Sequence, residues 1–288
     1  MGIMDGEKSA IMTLTDRYAV FGHPIKHSKS PRIHRLFAEQ TGQDLEYTAL
    51  EVPAEQFRTA VATFFAEGGK GLNCTVPLKE LAWDYADRKT ERARLSKAVN
   101  TLALQADGSI LGDNTDGLGL TTDLIVNHAI ALSGIRILIL GAGGASRGII
   151  APILEQAPQC LVIANRTADK AVKLAAEFQD KGPITGCGFD DLKNRPFDLI
   201  LNATSASLSG CVPPLPAGVL ATGGSCYDLA YGNEPTAFVC WGLEHNAAKS
   251  LDGLGMLVEQ AAEAFFIWRG VRPKTRPVIG LLNSERHA

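Results

Sequence analysis

No two cysteines in this sequence stand close enough to cage a metal or form a redox dithiol. The six cysteines lie singly at 74, 160, 187, 211, 226 and 240, with no C-x-x-C spacing. That excludes a zinc ribbon and a thioredoxin-like site, and it fits reduced thiols in the cytoplasm. His23, His27, His34, His128 and His245 show no ligand spacing, so no metal is expected and no chemistry is assigned to them. Long apolar runs are missing too: none approaches the roughly 20 residues that cross a bilayer. Met1 to Leu14 lacks the basic flank and apolar stretch of a secretory signal. Gly6 stands where a myristoylation site needs Ser or Thr. Residues Met1 to about Thr13 read as a mobile extension, with Met12 as an alternative start. An excess of one charge is also absent. Lys and Arg number 28 against 31 acidic residues, spread along the chain, so neither a nucleic-acid stripe nor an acidic tail is present. No repeat at solenoid spacing and no low-complexity tract appears. A small molecule is therefore the expected partner, without nucleic acid or membrane, and the chain is expected as a monomer or homodimer.

Strand and helix signals alternate along the 288 residues, enough for two ordinary domains. This pattern predicts an α/β fold with mostly parallel sheets. Tyr18–Phe21 reads as a strand, and Pro31 opens a helix that runs to Thr41 and stops at Gly42. Leu45–Val52 alternates as a strand, Ala54–Glu67 is helical in pattern, and Gly71–Pro77 is a short strand closed by proline. Helical segments follow around Leu78–Ala86 and Thr90–Leu95. Val99–Leu104 and Ser109–Leu111 flank Asp107-Gly108, a hairpin signal. Then the pattern repeats: strand Ile135–Leu140, helix Ala145–Gln156, strand Cys160–Ala164, helix Ala168–Asp180 and strands Asp198–Asn202 and Cys226–Leu229. Such repetition is that of a Rossmann-type doubly wound fold. A last apolar helix, Leu254–Arg269, ends at Gly270 and is expected to pack back on the first domain. The expected domains are 1–115 for substrate and catalysis, with 252–288 returning to it, and 116–251 for a dinucleotide.

Four aliphatic residues, Ile137 to Leu140, break into Gly141-Ala142-Gly143-Gly144-Ala145 and a helical pattern. A buried strand that turns through glycine into a helix brings a pyrophosphate to free helix amides. Ser146 replaces the Gly or Ala usual at the third fingerprint position and is small enough for close packing. The next strand ends in Asn165-Arg166-Thr167, with Lys170 one turn on, and no carboxylate stands at its tip. An NAD site places Asp or Glu there for the ribose hydroxyl; a guanidinium instead suits the 2′-phosphate of NADP.

Three further patterns lie ahead of this turn. Ser28-Lys29-Ser30-Pro31 puts two hydroxyls at a helix start, where a carboxylate can bind, although Ser30 could simply cap the helix. Asn73 to Lys79 ends a strand with proline and then a lysine, which alone reads as a solvated surface charge. Gly112 to Gly117 is a turn or helix start in which Asp116 could be a cap, placed where one domain gives way to the next.

Together the motifs S-K-S-P (Ser28–Pro31), N-x-T-V-P-x-K (Asn73–Lys79), A-V-N-T (Ala98–Thr101), G-x-N-T-D-G (Gly112–Gly117), G-A-G-G-A (Gly141–Ala145), N-R-T (Asn165–Thr167), N-A-T-S (Asn202–Ser205) and D-G-L-x-M-L-x-x-Q (Asp252–Gln260) resemble the shikimate dehydrogenase family, in its order, from Tyr18 to the end of the chain. The resemblance implies reversible reduction of 3-dehydroshikimate to shikimate by NADPH, in chorismate biosynthesis. It implies Lys79 and Asp116 as the catalytic pair and Ser28 and Ser30 on the substrate carboxylate. It further implies Thr75, Asn100, Asp116, Tyr231 and Gln260 at the ring hydroxyls. Asn202, Leu229, Gly253 and Met256 would lie near the nicotinamide. Leu229 stands where relatives often carry Met. Cys74 stands where they often carry Val and reads as a small apolar residue. Three rivals are an NAD-using quinate/shikimate dehydrogenase, which Arg166 disfavours, a nucleotide-binding homologue without catalysis, which the retained Lys79 and Asp116 disfavour, and a Rossmann reductase of unrelated substrate, in which the serine pair and Asn100 have no role.

Overall fold

The computed structural model describes residues 15–286, so the extension expected over residues 1–13 lies outside the described residues. The first part of the chain runs β1 (Asp16–Gly22), α1 (Ser30–Thr41), β2 (Leu45–Glu51), α2 (Phe57–Ala66), β3 (Gly69–Cys74), α3 (Lys79–Tyr85), β4 (Arg88–Lys89), α4 (Glu91–Ser96), β5 (Thr101–Leu104) and β6 (Ile110–Asp113). These strands form one sheet in the order β2-β1-β3-β5-β6-β4. β1 is parallel to both β2 and β3. The sheet turns antiparallel at β5, which pairs with β3 and with β6. The hairpin between β5 and β6 closes at Asp107-Gly108, where the Asp107 carboxylate accepts from the Ser109 amide at 3.0 Å.

The chain then passes through α5 (Asp116–Thr122), which continues as one π-helical turn over Asp123–Asn127. The second sheet comes from β7 (Arg136–Leu140), α6 (Gly144–Leu154), β8 (Cys160–Ala164), α7 (Ala168–Ala176), β9 (Ile184–Cys187), β10 (Phe197–Asn202), β11 (Leu220–Asp228), α8 (Ala237–Glu244) and β12 (Lys249–Leu251). Its order is β12-β11-β10-β7-β8-β9, and every pairing is parallel. The unbroken aliphatic run of β7 follows from this position, because both of its faces are covered. Ile137 and Ile139 join one core cluster and Leu138 and Leu140 the other. Strand order reverses between β7 and β10, and the crevice outside the strand ends at such a switch point is where doubly wound sheets bind ligands.

Helix α9 (Leu254–Arg269) leaves the second sheet and packs on α1, and α10 (Thr275–Ser284) completes that layer. Ile33 and Phe37 of α1 meet Val258, Ala261, Ala262 and Phe265 of α9 in a single apolar cluster. Trp268 donates from Nε1 to the Leu102 carbonyl at 3.0 Å and stacks on Tyr18. Hence α9 is held by the first sheet although it begins beside the second.

Several boundaries differ from the sequence expectation. The helix expected from Ala54 starts as a 3-10 turn over Ala54–Gln56, and its α-helical part begins at Phe57. The helix expected to reach Asp180 ends at Ala176, and the one expected to reach Gln156 ends at Leu154. Strands β4, β9 and β12 have 2, 4 and 3 residues, too few for alternation to declare itself.

Candidate active site

A cavity of about 440 Å³ opens between the two sheets. The tip of β1 and the turn after it supply its first wall. Ser30 is the first residue of α1 and does not cap it; the preceding Lys29 holds the cap position without a side-chain bond. The Ser28 hydroxyl instead accepts from the Ser30 amide at 3.3 Å. Both serines therefore gather at the positive end of α1 and face the cavity. Lys26 and His27 of the same turn also line it, as do Asn73 and Cys74, and sequence reasoning assigned none of these to the site. The adjacency of Lys26 and His27 to Ser28 was the available signal. Cys74 is buried, and burial drives its thiol pKa far up, so it is a packing residue and not a nucleophile.

Thr75 follows β3, and its amide donates to the Phe21 carbonyl at 2.9 Å, which ties the ends of β1 and β3 together. Lys79 opens α3 and is three-quarters buried, unlike the solvated surface lysine its local sequence suggests. Asp116 opens α5 as its first helical residue, with Thr115 at the cap position. The Lys79 ammonium donates to Asp116 Oδ2 at 2.5 Å. On the other oxygen, Asn100 Nδ2 donates to Asp116 Oδ1 at 2.8 Å. The carboxylate also sits in the first turn of α5, where the helix dipole favours its charge.

From α9, Gln260 Oε1 accepts from Asn100 Nδ2 and Thr115 Oγ1, each at 3.3 Å. Met256 and Gly253 line the cavity beside Leu229 and Tyr231, which follow β11. Burial raises the Tyr231 phenol pKa, so it presents a neutral hydroxyl. Thus Ser28, Ser30, Thr75, Lys79, Asn100, Asp116, Tyr231 and Gln260 meet around one space, together with Ala145 of α6.

The remaining dinucleotide residues lie beyond that cavity. Gly141 follows β7 with φ +102, a left-handed conformation that favours glycine. Ser146 is buried, and its hydroxyl donates to the Gly141 carbonyl at 2.8 Å, so the unusual third position locks the turn. Open space surrounds Gly143 and Gly144 where a Cβ would point, and Gly143 gives α6 no side-chain cap. Ala142, half-buried, completes the turn. The first amides of α6 are therefore directed at open space of a kind that suits a phosphate. Asn165, Arg166 and Thr167 follow β8, with Asn165 Nδ2 donating to the Thr167 carbonyl at 3.0 Å. Arg166 and Lys170 are exposed at that edge. These groups fit a dinucleotide with an added phosphate. Asn202 does not line the cavity. It is fully buried, donates to Asp228 and Ser207 and accepts from Thr204, so its side chain braces the loop after β10.

Comparison with known proteins agrees with this geometry. Residues 20–102 match the family model described as the shikimate dehydrogenase substrate binding domain. Residues 124–209 match shikimate / quinate 5-dehydrogenase, and residues 253–282 match the shikimate 5'-dehydrogenase C-terminal domain. A protein of Methylococcus capsulatus named shikimate dehydrogenase (NADP(+)) is 65% identical over 275 residues, 96% of this chain and 99% of that one. One of the same name from Alkalilimnicola ehrlichii is 57% identical over 94% of this chain and 100% of its own. The crystal structure of a Thermus thermophilus shikimate 5-dehydrogenase in complex with NADP(H) and shikimate superposes with a TM-score of 0.81, at 31% identity, over 92% of this chain and 97% of that one. With matches along both sheets and the returning helix, and identity above half along whole relatives, the chain belongs to the shikimate dehydrogenase family.

Proposed function

We propose that this protein is an NADP-dependent shikimate dehydrogenase, which reversibly reduces 3-dehydroshikimate to shikimate on the route to chorismate. The single observation that carries the reading is the Lys79–Asp116 pair facing the same cavity as Ser28 and Ser30. Residues up to about 115, with 252–288, bind the substrate, and 116–251 bind NADP. It works in the cytoplasm as a monomer or homodimer.

Bound NADPH supplies the hydride. The protein's own groups do the rest. Ser28 and Ser30 donate hydroxyl hydrogen bonds to the substrate carboxylate at the α1 N-terminus, which orients the ring. Thr75, Asn100, Tyr231 and Gln260 engage the ring hydroxyls. Lys79 Nζ gives a proton to the ketone oxygen as charge develops there, and takes it back in the reverse direction. Asp116 holds the ammonium in place and accepts from a substrate hydroxyl. Leu229, Gly253 and Met256 shape the wall on the hydride side, while Val20, Ile25 and Leu257 keep that volume apolar. At the far end, the amides after Gly141 bind the pyrophosphate, and Asn165, Arg166, Thr167 and Lys170 bind the adenosine with its 2′-phosphate.

Initial rates of oxidation with shikimate or quinate, each with NADP⁺ or NAD⁺, test the reading. Shikimate with NADP⁺ is expected to be fastest. Faster turnover of quinate with NAD⁺ overturns it in favour of the quinate-using rival.

A further inference from the structure

We infer that Thr101 is a positioning residue for the catalytic pair. It stands in a one-way chain of hydrogen bonds that ends on the Asp116 carboxylate. The inference rests on the proposed roles of Lys79 and Asp116. Thr101 is fully buried at the start of β5 and does not reach the cavity.

The direction of the chain follows from its backbone anchors. The Thr115 amide points at the Asn100 side chain from 2.9 Å, and an N–H can only donate. The atom it meets is therefore Asn100 Oδ1, which turns Nδ2 toward Asp116. Likewise, Asn73 meets the Asn100 main-chain carbonyl at 3.0 Å, and a carbonyl can only accept. Asn73 thus presents Nδ2 on that side and gives its second N–H to Thr101 Oγ1, also at 3.0 Å. With its lone pair engaged, Thr101 donates its proton to Asn100 Oδ1 at 2.9 Å. The remaining Asn73 oxygen accepts from the Tyr47 phenol at 2.7 Å.

The donors run in one sense, from Tyr47 to Asn73 to Thr101 to Asn100 to Asp116. Each bond polarises the next in a site away from water. Its outcome is a stronger donor on Asp116 Oδ1 and a fixed amide plane for Asn100. Lys79 from α3 is the charged group paired with Asp116. α6 faces it with Gly148, a Cβ on which would lie 3.7 Å from Oδ2, and α9 reaches it only through Gln260 and Asn100. Its own segment supplies Asn114, whose Oδ1 accepts from the Asp116 amide at 3.1 Å. Two hydroxyls outside the cavity meet the Asn100 oxygen, Thr101 at 2.9 Å and Thr115 at 3.2 Å, and of these it is Thr101 that Asn73 feeds in turn.

Thr101→Val keeps the shape and removes the hydroxyl. Its kcat for shikimate with NADP⁺ is expected to fall roughly tenfold, with KM changed by less than about threefold. Thr101→Ser is expected to restore kcat. Tyr47→Phe removes the head of the chain and is expected to lower kcat by less, again with little change in KM, which serves if Thr101→Val does not fold. A Thr101→Val enzyme with parental kcat overturns the inference, as does a loss that Thr101→Ser does not restore. Absence of turnover in the parent protein overturns instead the reading of the site on which the inference rests.

Discussion

Among single residues, His34 departs far from its ordinary chemistry. It is fully buried on α1 and stacks on Tyr47 with ring centroids 4.1 Å apart and planes within 6°. Burial holds its pKa down at about 3, so the folded protein keeps a neutral imidazole. The unfolded chain takes up a proton below its ordinary value of 6.5, while the folded one refuses it until about pH 3. Stability from this residue is therefore complete above that ordinary value and falls as pH drops toward the folded one. Between pH 6.5 and 5 the expected loss is about 2 kcal/mol. Denaturant unfolding at pH 7 and pH 5 checks it. His34→Phe is expected to lose about 2 kcal/mol less than the parent over that interval. Equal losses in the two proteins contradict a buried neutral histidine.

At the scale of elements, α9 carries Met256 and Gln260 to the cavity, and its placement depends on contact with α5. A Cβ on Gly255 would come to 2.0 Å from Asp123 Oδ1. Asp123 is fully buried and cannot yield, because it accepts from the Tyr227 phenol at 2.8 Å and from Asn127 at 2.9 Å. Tyr227 Oη in turn accepts from the Met256 amide at 3.3 Å. Gly255→Ala is thus expected to push α9 away from α5, to destabilise the protein by roughly 1–3 kcal/mol and to raise KM for substrate and cofactor together. Unchanged thermal stability and KM values contradict so close a contact. Local elements such as this helix were legible in sequence where the signal is local. The turn at Gly141 was legible because strand, glycine and helix are consecutive, and α9 because sixteen helical residues end on Gly270. The Lys79–Asp116 contact was not legible from spacing, since 37 residues separate the partners and only the family motifs linked them. Thr101 and Asn73 had no visible role, because hydrogen-bond direction depends on backbone groups brought in from other strands. Asn202 is expected near the nicotinamide, and the bond that holds its side-chain amide was not legible because the buried Asp228 lies on a different strand.

At the scale of the whole molecule, two ion networks join distant segments, and their burial separates their importance. Arg92 of α4 donates to Asp113 at 2.6 Å and to Glu263 of α9 at 3.0 Å, and Arg272 adds a second bond to Glu263. Asp113 and Glu263 keep only 4% and 10% of their side chains exposed. Arg92→Met leaves two carboxylates short of a partner and is expected to cost about 3 kcal/mol. By contrast, Lys97 and Glu177 link the first sheet's half to the second through a largely exposed pair. Arg147, and then Lys97, hold the Glu177 pKa down at about 2. Solvent screening limits such a pair, so Lys97→Ala is expected to change stability by less than about 1 kcal/mol. Urea unfolding of the two variants ranks them, and a larger loss for Lys97→Ala contradicts the assignment of the inter-segment hold to the Arg92 network and α9.

Central to the proposed function is that the cavity between the sheets reduces a ketone with a hydride from NADPH while Lys79 supplies the proton. Absorbance of NADPH after addition of 3-dehydroshikimate measures it directly, with Lys79→Ala run beside the parent. Rapid loss of absorbance is expected with the parent, little with NADH in its place, and a rate roughly 10²–10⁴-fold lower for Lys79→Ala. Steady absorbance with the parent, or equal rates for the two proteins, contradicts it.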